Sequence, residues 1–273
     1  MSKIKLIGID LDGTALNSNK EISEENKAVF KKCKDNNIHL VPVTGRPFSG
    51  LFDEYKRDML CDYSINTNGA AVYRTADSKR IITHVIGNED AHNLINILDN
   101  FDCYYGIFFD GYGYLEEQTF RNELEKWRGT PLFEYVKRTR RIIEDRRGFL
   151  NTLNGCDNIY VIAKDTPERD RIKREIADFE GIHFTSSIDN DVEIGGECTK
   201  GTTLIELAEK LGIKKNEVMA IGDSGNDLNM LEEAGFAVAM DNSSEEIKNA
   251  ADFITKSCDE SGVAFAIEKL IFN

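Results

Sequence analysis

The chain of 273 residues is long enough for one large domain or two modest ones, and 41% hydrophobic and 30% charged residues are typical of a folded globular protein. The formal net charge of −14 excludes a general nucleic-acid-binding protein, and it requires any phosphate site to supply its own local positive charge. No apolar run approaches the roughly 18 residues of a membrane span, and the apolar stretch before Asp10 is too short for a signal peptide.

The six cysteines are widely spaced and form no Cys-x-x-Cys pair. This spacing favours reduced, mostly buried thiols over a disulfide framework or a zinc site. With no nucleic-acid or membrane partner indicated, we expect a cytoplasmic protein that is a monomer or a small homo-oligomer.

The first third of the chain alternates strand and helix patterns. A strand over about 4–10 precedes a helix over about 23–36, for which Ser23 marks the N-terminus. An apolar run over 38–43 predicts a second strand, and a third is predicted before the turn at Asn68-Gly69. Strands that alternate with helices indicate βαβ units and a parallel sheet.

The last third repeats this alternation, whereas the middle of the chain differs in composition and is rich in aromatic residues. In the middle we predict helices near 89–99 and 166–178 and strands over 103–109 and 158–163. In the last third we predict a helix over 199–211, a strand over 217–221, a helix over 226–234, a strand over 236–239 and a helix near 244–250. We interpret residues 84–189 as an inserted α+β domain that splits an α/β core into 1–83 and 190–273.

The segment Asp10-Leu11-Asp12-Gly13-Thr14 directly follows the first predicted strand. Ligands of open α/β sheets bind at the carboxyl ends of the strands, and two carboxylates there repel each other unless a cation lies between them or one is protonated. This pattern favours a Mg²⁺ site in which one carboxylate attacks phosphorus and the other moves protons. The alternative is a solvated turn, because Asp and Gly are common turn residues.

Thr44-Gly45-Arg46-Pro47 ends the second predicted strand. A hydroxyl and free backbone N–H groups at such a turn bind phosphate oxygens well, although an ordinary strand-to-helix turn has the same sequence. Lys200 lies in the first turn of a predicted helix, where it opposes the helix dipole. This placement indicates an anionic partner, with a solvated surface lysine as the alternative.

The turn Gly222-Asp223-Ser224-Gly225-Asn226-Asp227 repeats the design of the opening segment, because acids in a Gly-rich turn follow a buried strand. Asp223 is a second candidate Mg²⁺ ligand, since Mg²⁺ takes oxygen ligands. Asn226 and Asp227 lie at the start of a predicted helix, which they could equally cap.

Taken in chain order, Asp10 to Thr14, Thr44, Lys200 and Gly222 to Asp227 resemble the four motifs of the haloacid dehalogenase (HAD) superfamily. The insertion between Thr44 and Lys200 resembles the large α+β (C2-type) cap of its Cof-type phosphatases, as do Arg46-Pro47 and Asn68-Gly69-Ala70. The resemblance covers the whole chain. It implies a Rossmann-like α/β core with a parallel sheet and an inserted α+β cap domain.

The resemblance also implies a role for each motif residue. Asp10 is expected to be the nucleophile that forms an aspartyl-phosphate, and Asp12 the acid and base whose backbone carbonyl also binds metal. Phosphate-binding residues are expected to be Thr44, Gly45, Arg46, Lys200 and Asn226. The expected Mg²⁺ ligands are Asp10, Asp12, Asp223 and Asp227.

The acid at position 12 indicates hydrolysis or transfer of a phosphomonoester, because an alkoxide leaves poorly unless it is protonated. We therefore expect a Mg²⁺-dependent phosphatase acting on small phosphorylated metabolites, with sugar phosphates as the preferred class. Two alternatives stay open, a phosphomutase of the phosphomannomutase type and a non-catalytic phosphate-binding regulator. A dinucleotide-binding protein is disfavoured, because no Gly-x-Gly-x-x-Gly follows the first strand.

The inserted domain contains two further patterns. Asp110 to Tyr114 is either a substrate-stacking aromatic turn or a simple hairpin turn. The arginines around Lys137 to Arg147 either bind a second anionic group or form a solvated charged face.

Overall fold

The structure, a computed structural model, describes residues 3–186 and 189–273 of the chain. The N-terminal part alternates strands and helices as predicted, and Ser23 caps the first helix by accepting a hydrogen bond from the amide of Asn26 at 3.2 Å. Its elements are β1 (Leu6–Ile9), α1 (Glu24–Asp35), β2 (His39–Pro42), α2 (Asp53–Met59), β3 (Tyr63–Asn66), β4 (Ala71–Arg74) and β5 (Lys79–Thr83).

The middle of the chain is the α+β segment that the sequence predicts. Both predicted helices and both predicted strands are present, with further elements between them. In chain order they are α3 (Asn88–Leu98), β6 (Cys103–Phe109), β7 (Tyr112–Glu116), α4 (Glu117–Lys126), α5 (Pro131–Thr139), β8 (Arg140–Ile143), α6 (Arg146–Asn151), β9 (Asn158–Ala163), α7 (Thr166–Ile176), β10 (Ile182–Thr185) and β11 (Asp191–Gly196).

The C-terminal part returns to α/β alternation. Its elements are α8 (Lys200–Lys210), β12 (Val218–Gly222), α9 (Leu228–Glu233), β13 (Phe236–Ala239), α10 (Glu245–Asn249), β14 (Phe253–Ile254) and α11 (Gly262–Ile267). The helix predicted from residue 226 begins later, at Leu228. A 3₁₀ turn over Gly225–Asp227 precedes it, because Ser224 and Asp227 form a capping box there.

The first of two compact units contains the chain up to Gly45, Leu51–Ile82 and Thr199–Asn273. Its five-stranded sheet has the order β14-β13-β12-β1-β2, and all of its strand pairs are parallel. The four residues of β1 are buried, as expected for a central strand covered on both faces. The predicted α/β class with a parallel sheet is thus confirmed.

Helix α8 packs closely on β1 in this unit. A Cβ atom on Gly8 would lie 2.6 Å from the Cδ2 atom of Leu204, so any larger residue at position 8 would require this buried side chain to shift. Beyond β2, an isolated bridge between Val43 and Ile65 places β3 next to the parallel sheet. Strand β3 also pairs antiparallel with β4 in a second sheet of this unit, with the order β3-β4-β5.

The second unit contains Arg46–Gly50 and Thr83–Cys198. Its six-stranded sheet has the order β10-β11-β9-β6-β7-β8, and β7 and β8 form its one parallel pair among the described residues. Apolar residues of α3 and α7, such as Leu94 and Ile172, form a core with strand residues such as Val161.

The limits of this unit differ from the predicted insertion of 84–189. Strand β11 pairs with β9, with Val192 opposite Val161, so residues 191–196 belong to the second sheet rather than to the α/β core. The short segment Arg46–Gly50 also groups with the second unit, where the amide of Ser49 donates to the carbonyl of Gly111 at 3.0 Å. Neither pairing has a local sequence signal.

Two patterns noted in the inserted segment have structural explanations. Asp110 and Gly111 have φ values of 44° and 81° and form the tight turn of the β6–β7 hairpin. Arg140 and Arg147 have acidic partners within the unit, at 3.4 Å from Glu123 and 2.7 Å from Asp99. The guanidinium carbon of Arg141 instead lies 4.0 Å from the ring centre of Tyr112.

The cysteines and helices agree with the compositional expectations. All six cysteines are free, and four of them are buried. Within residues 3–186 and 189–273, none of the helices combines the length and the apolar character needed to cross a membrane.

Candidate active site

Parallel pairing brings three predicted motifs to one edge of the sheet in the first unit. Ile9 is in register with Ile221 on one side and with Pro42 on the other. The amide of Asp10 donates to the carbonyl of Ile221 at 3.0 Å, so the loops that follow β1, β2 and β12 begin side by side. This edge is the carboxyl end of the strands, where open α/β sheets bind their ligands.

Lys200 joins two of the carboxylates at this edge. Its Nζ atom lies 2.7 Å from Oδ1 of Asp10 and 2.7 Å from Oδ1 of Asp227, and all three side chains are buried. Burial alone would lower the pKa of Lys200, but the charges of Asp10 and Asp227 outweigh it and raise the pKa above its usual value. The two carboxylates thus favour the charged ammonium, and the solvated-surface alternative is wrong, because the Lys200 side chain is 1% exposed.

Asp223 is held by residues of other loops. The hydroxyl of Thr14 donates to its Oδ1 at 2.8 Å, and the Nδ2 atom of Asn242 donates to its Oδ2 at 3.3 Å. Gly13 has a φ of 85°, and a Cβ atom on it would lie 2.5 Å from Oδ2 of Asp223. The Asp-Gly-Thr turn after β1 is thus shaped around this carboxylate.

Asp227 has both of its oxygens engaged inside the protein. While Oδ1 accepts from Lys200, Oδ2 accepts from the backbone amides of Asp223 and Ser224 at 3.0 and 3.1 Å. The side chain therefore both shapes the loop that carries Asp223 and positions the ammonium of Lys200.

Asp10, Asp223 and Asp227 form a cluster whose candidate ligand oxygens all lie within 4.8 Å of one another. Burial first, and then the neighbouring Asp227, raise the pKa of Asp10 well above its usual value and the pKa of Asp223 to about 6. Three carboxylates share one ammonium, so the cluster carries an excess of negative charge. A hard divalent cation such as Mg²⁺, which prefers oxygen ligands, fits this donor set.

Asp12 points its carboxylate to a different partner. Its Oδ1 lies 2.9 Å from Nζ of Lys20, and the two side chains are 40% and 51% exposed. Lys20 has a φ of 63°, and its carbonyl accepts a hydrogen bond from the hydroxyl of Tyr55 at 3.1 Å. The second carboxylate of the motif is therefore partly accessible to solvent.

Apart from Lys200 at the start of α8, the predicted phosphate-binding residues lie in three places. Thr44 is 2% exposed, directly beyond β2, and its amide donates to the carbonyl of Ile65 at 2.9 Å. Asn226 lies in the loop after β12, and Gly45 follows Thr44 in the first unit. Arg46 groups with the second unit, where its guanidinium carbon lies 5.3 Å from the ring centre of Tyr135.

Sequence reasoning gave no role to Thr14, Asn242, Lys20 or Asn68. Asn242 follows β13, the neighbour of β12, so a search for polar residues after every parallel strand would have found it. Lys20 carries no such signal, because its contact with Asp12 depends on the path of the loop between them.

The family-level comparisons agree with the motifs. A model of the haloacid dehalogenase-like hydrolases matches residues 7–267. The Bacillus subtilis (strain 168) protein named 5-amino-6-(5-phospho-D-ribitylamino)uracil phosphatase YwtE is 31% identical to the chain, with 98% of each covered. Phosphatase YwpJ of the same organism is 29% identical over 98% of this chain and 100% of its own.

A solved structure of a haloacid dehalogenase-like hydrolase from B. subtilis has the same fold. It superposes with a TM-score of 0.85 at 27% identity, covering 98% of this chain and 100% of that one. The match spans both units and includes all four motif segments within its range. The chain therefore belongs to the haloacid dehalogenase superfamily, in its Cof-type branch, and is a phosphatase.

Proposed function

We propose that this phosphatase is Mg²⁺-dependent and hydrolyses small phosphorylated metabolites, sugar phosphates above all, through an aspartyl-phosphate on Asp10. One observation carries the proposal. The buried carboxylate of Asp10 lies against the ammonium of Lys200 at 2.7 Å, with the carboxylate of Asp223 close beside it. This arrangement supports roles for Asp10 as the nucleophile, for Lys200 as a phosphate-binding cation and for Asp223 as a metal ligand.

Asp10 and Asp223 would hold the metal ion through their carboxylates, and the carbonyl of Asp12 would add a third ligand. Asp227 stays a proposed ligand, but its two engaged oxygens favour a supporting role. The ion, when bound, would supply positive charge that lets phosphate approach the carboxylates.

The protein side chains would carry the chemistry in two steps. In the first, a carboxylate oxygen of Asp10 attacks phosphorus, the bond from phosphorus to the ester oxygen breaks, and Asp12 donates a proton to the departing alkoxide. In the second, Asp12 accepts a proton from water, the water oxygen attacks phosphorus, and Asp10 is released with inorganic phosphate. Lys200 stays protonated throughout, so it stabilises charge without consuming protons.

Phosphoryl oxygens would be held by Thr44, Gly45, Lys200 and Asn226, and we retain Arg46 as a fifth proposed contact. We assign the second unit, predicted as 84–189, to the cap domain of the family. The relative named for a phosphoribitylamino-uracil substrate supports phosphates on short polyhydroxylated chains as the substrate class. A cytoplasmic location is supported by the six free cysteines.

The test compares the wild-type protein with Asp10→Asn on p-nitrophenyl phosphate and on a panel of sugar and sugar-alcohol phosphates, with Mg²⁺ and with EDTA. We expect turnover only in the wild-type protein with Mg²⁺. Asp35→Asn serves as the matched control, because Asp35 is 60% exposed and pairs only with Lys31 among the ion pairs of the described residues. Equal background rates from wild type and Asp10→Asn would instead support the non-catalytic regulator.

Product analysis separates hydrolysis from the phosphomutase alternative. We expect one equivalent of inorganic phosphate per substrate consumed, with no need for a bisphosphate activator. Formation of a positional isomer that depends on a sugar bisphosphate would contradict hydrolysis.

A further inference from the structure

The turn between β3 and β4 has an unusual backbone. Thr67, Asn68 and Gly69 have φ values of 52°, 54° and 108°, so three consecutive residues lie in the left-handed region. For a β-branched residue such as Thr67 this conformation is a rare outlier, and it persists only where surrounding contacts enforce it. The turn is also buried, with Thr67 5% and Asn68 8% exposed.

Gly69 ties this turn to the helix that carries Lys200. A Cβ atom on Gly69 would lie 2.4 Å from the carbonyl oxygen of Thr199, the N-cap residue of α8. In addition, the buried hydroxyl of Thr203 donates to the carbonyl of Gly69 at 2.9 Å. The first turn of α8 therefore packs directly against Gly69.

Asn68 ties the same turn to two other motif loops. Its amide donates to the carbonyl of Thr44 at 3.1 Å, which fixes the loop after β2. Its side-chain oxygen accepts from Nδ2 of Asn226 at 3.5 Å, across to the loop after β12. One strained turn thus contacts each segment that carries a proposed phosphate-binding residue of the first unit.

We propose that Thr67–Gly69 is a positioning element for phosphoryl binding, and that Asn68 is a positioning residue for Asn226. This inference rests on the proposed function. The turn fixes the relative positions of Thr44, the start of α8 and Asn226. The groups that bind the phosphoryl oxygens therefore converge before the substrate binds. Its contacts lead to the segments that carry proposed phosphate-binding residues, so we expect changes in this turn to weaken phosphate binding more than Mg²⁺ binding.

Three substitutions each disturb one contact of this turn, and two further variants serve as controls. Thr203→Val removes the hydrogen bond to Gly69 at nearly constant volume, and Thr203→Ser restores it. Asn68→Gly keeps the left-handed backbone accessible while it removes the side chain. Gly69→Ala forces the clash with Thr199, and Gly212→Ala is its matched control, because Gly212 has a φ of 71° with nothing within 4 Å of an added Cβ.

The decisive measurement compares the dissociation constant for inorganic phosphate with that for Mg²⁺. Both are measured by titration calorimetry on the full chain. We expect the dissociation constant for inorganic phosphate, measured with Mg²⁺, to rise about threefold to tenfold in Thr203→Val and Asn68→Gly, as expected for a lost hydrogen bond. The dissociation constant for Mg²⁺ should stay within twofold. In Gly69→Ala we expect kcat/KM to fall about 100-fold, with Thr203→Ser and Gly212→Ala near wild type.

Phosphate affinities within twofold of wild type in both Thr203→Val and Asn68→Gly would overturn the inference. Equal weakening of phosphate and Mg²⁺ would also overturn it, because a loosened fold moves both. The proposed function fails separately, if the wild-type protein hydrolyses no monoester. The phosphate titrations still decide the inference in that case, since they need no turnover.

Discussion

Nζ of Lys200 lies 2.7 Å from Oδ1 of Asp227, and the two side chains are 1% and 0% exposed. The same ammonium contacts Asp10, so a single cation pairs with buried acids from two separate loops. Because these side chains are buried, water cannot solvate the carboxylates in place of the Lys200 ammonium. The stability of the site and its chemistry therefore depend on the same residue.

We expect Lys200→Met to lower the free energy of unfolding by about 3–5 kcal/mol without Mg²⁺, the usual cost of leaving a buried charge unpaired. Urea denaturation in EDTA measures this change. Lys210→Met is the control, because Lys210 is 51% exposed and lies 3.9 Å from its partner Glu206, so a change of at most about 0.5 kcal/mol is expected. Equal midpoints for the two variants would contradict the view that Lys200 neutralises the cluster.

Asp10→Asn should separate activity from stability. Burial and two neighbouring carboxylates disfavour the charged form of Asp10, as its raised pKa indicates, so a neutral isostere removes repulsion while it removes the nucleophile. We expect a higher Tm than wild type in EDTA and a smaller gain in Tm on adding Mg²⁺. A lower Tm in EDTA would mean that the ion pair with Lys200 outweighs the repulsion.

Gly13→Ala should weaken metal binding. The added Cβ would lie 2.5 Å from Oδ2 of Asp223, so the carboxylate must move. We expect the Mg²⁺ concentration for half-maximal activity to rise about tenfold or more, which is typical when the support of a metal ligand is lost. Gly181→Ala controls for backbone strain, because Gly181 has a φ of 80° with nothing within 4 Å of an added Cβ.

The pH dependence of metal binding follows from Asp223. Its folded pKa is raised from 3.8 to about 6, mainly by burial, so its contribution to the stability of the metal-free protein is full below about pH 4 and is lost as the pH rises through 6. A bound cation favours the charged carboxylate and reverses this loss. We therefore expect the Mg²⁺-induced rise in Tm to increase between pH 5 and pH 7.

Thermal melts with Mg²⁺ and with EDTA at pH 5, 6 and 7 measure this increase. Asp223→Asn provides the control, in which the rise should be small at every pH. A rise that is equal at pH 5 and pH 7 in the wild-type protein would contradict the titration of Asp223 in this range.

The sequence predicted the α/β core well because its signals are local. The apolar run before Asp10, the cap at Ser23 and the acids at Asp223 each report on residues next to them in the chain. The alternation of strands and helices predicts a parallel sheet. The motifs that follow its strands then lie together at the carboxyl edge of that sheet. This is why Asp10 and Asp223 could be grouped from the sequence, whereas Lys200 joined them only through the resemblance to the family motifs.

The features that the sequence missed depend on contacts between distant segments. Because β11 pairs with β9, the second unit ends at Cys198, whereas the predicted insertion ended at residue 189. The contact of Lys20 with Asp12 and the left-handed backbone at Thr67 likewise have no local signature, since threonine is a poor residue for that conformation.

The order of segments in the first unit has a consequence for synthesis. Strand β1 pairs with β2 early in the chain, but its other neighbour, β12, is made only in the last quarter. Until then, the nascent chain carries an apolar strand with one exposed edge, while the second unit is already complete at Cys198. We expect the inserted unit to fold first on the ribosome, and truncated chains that end before β12 to aggregate.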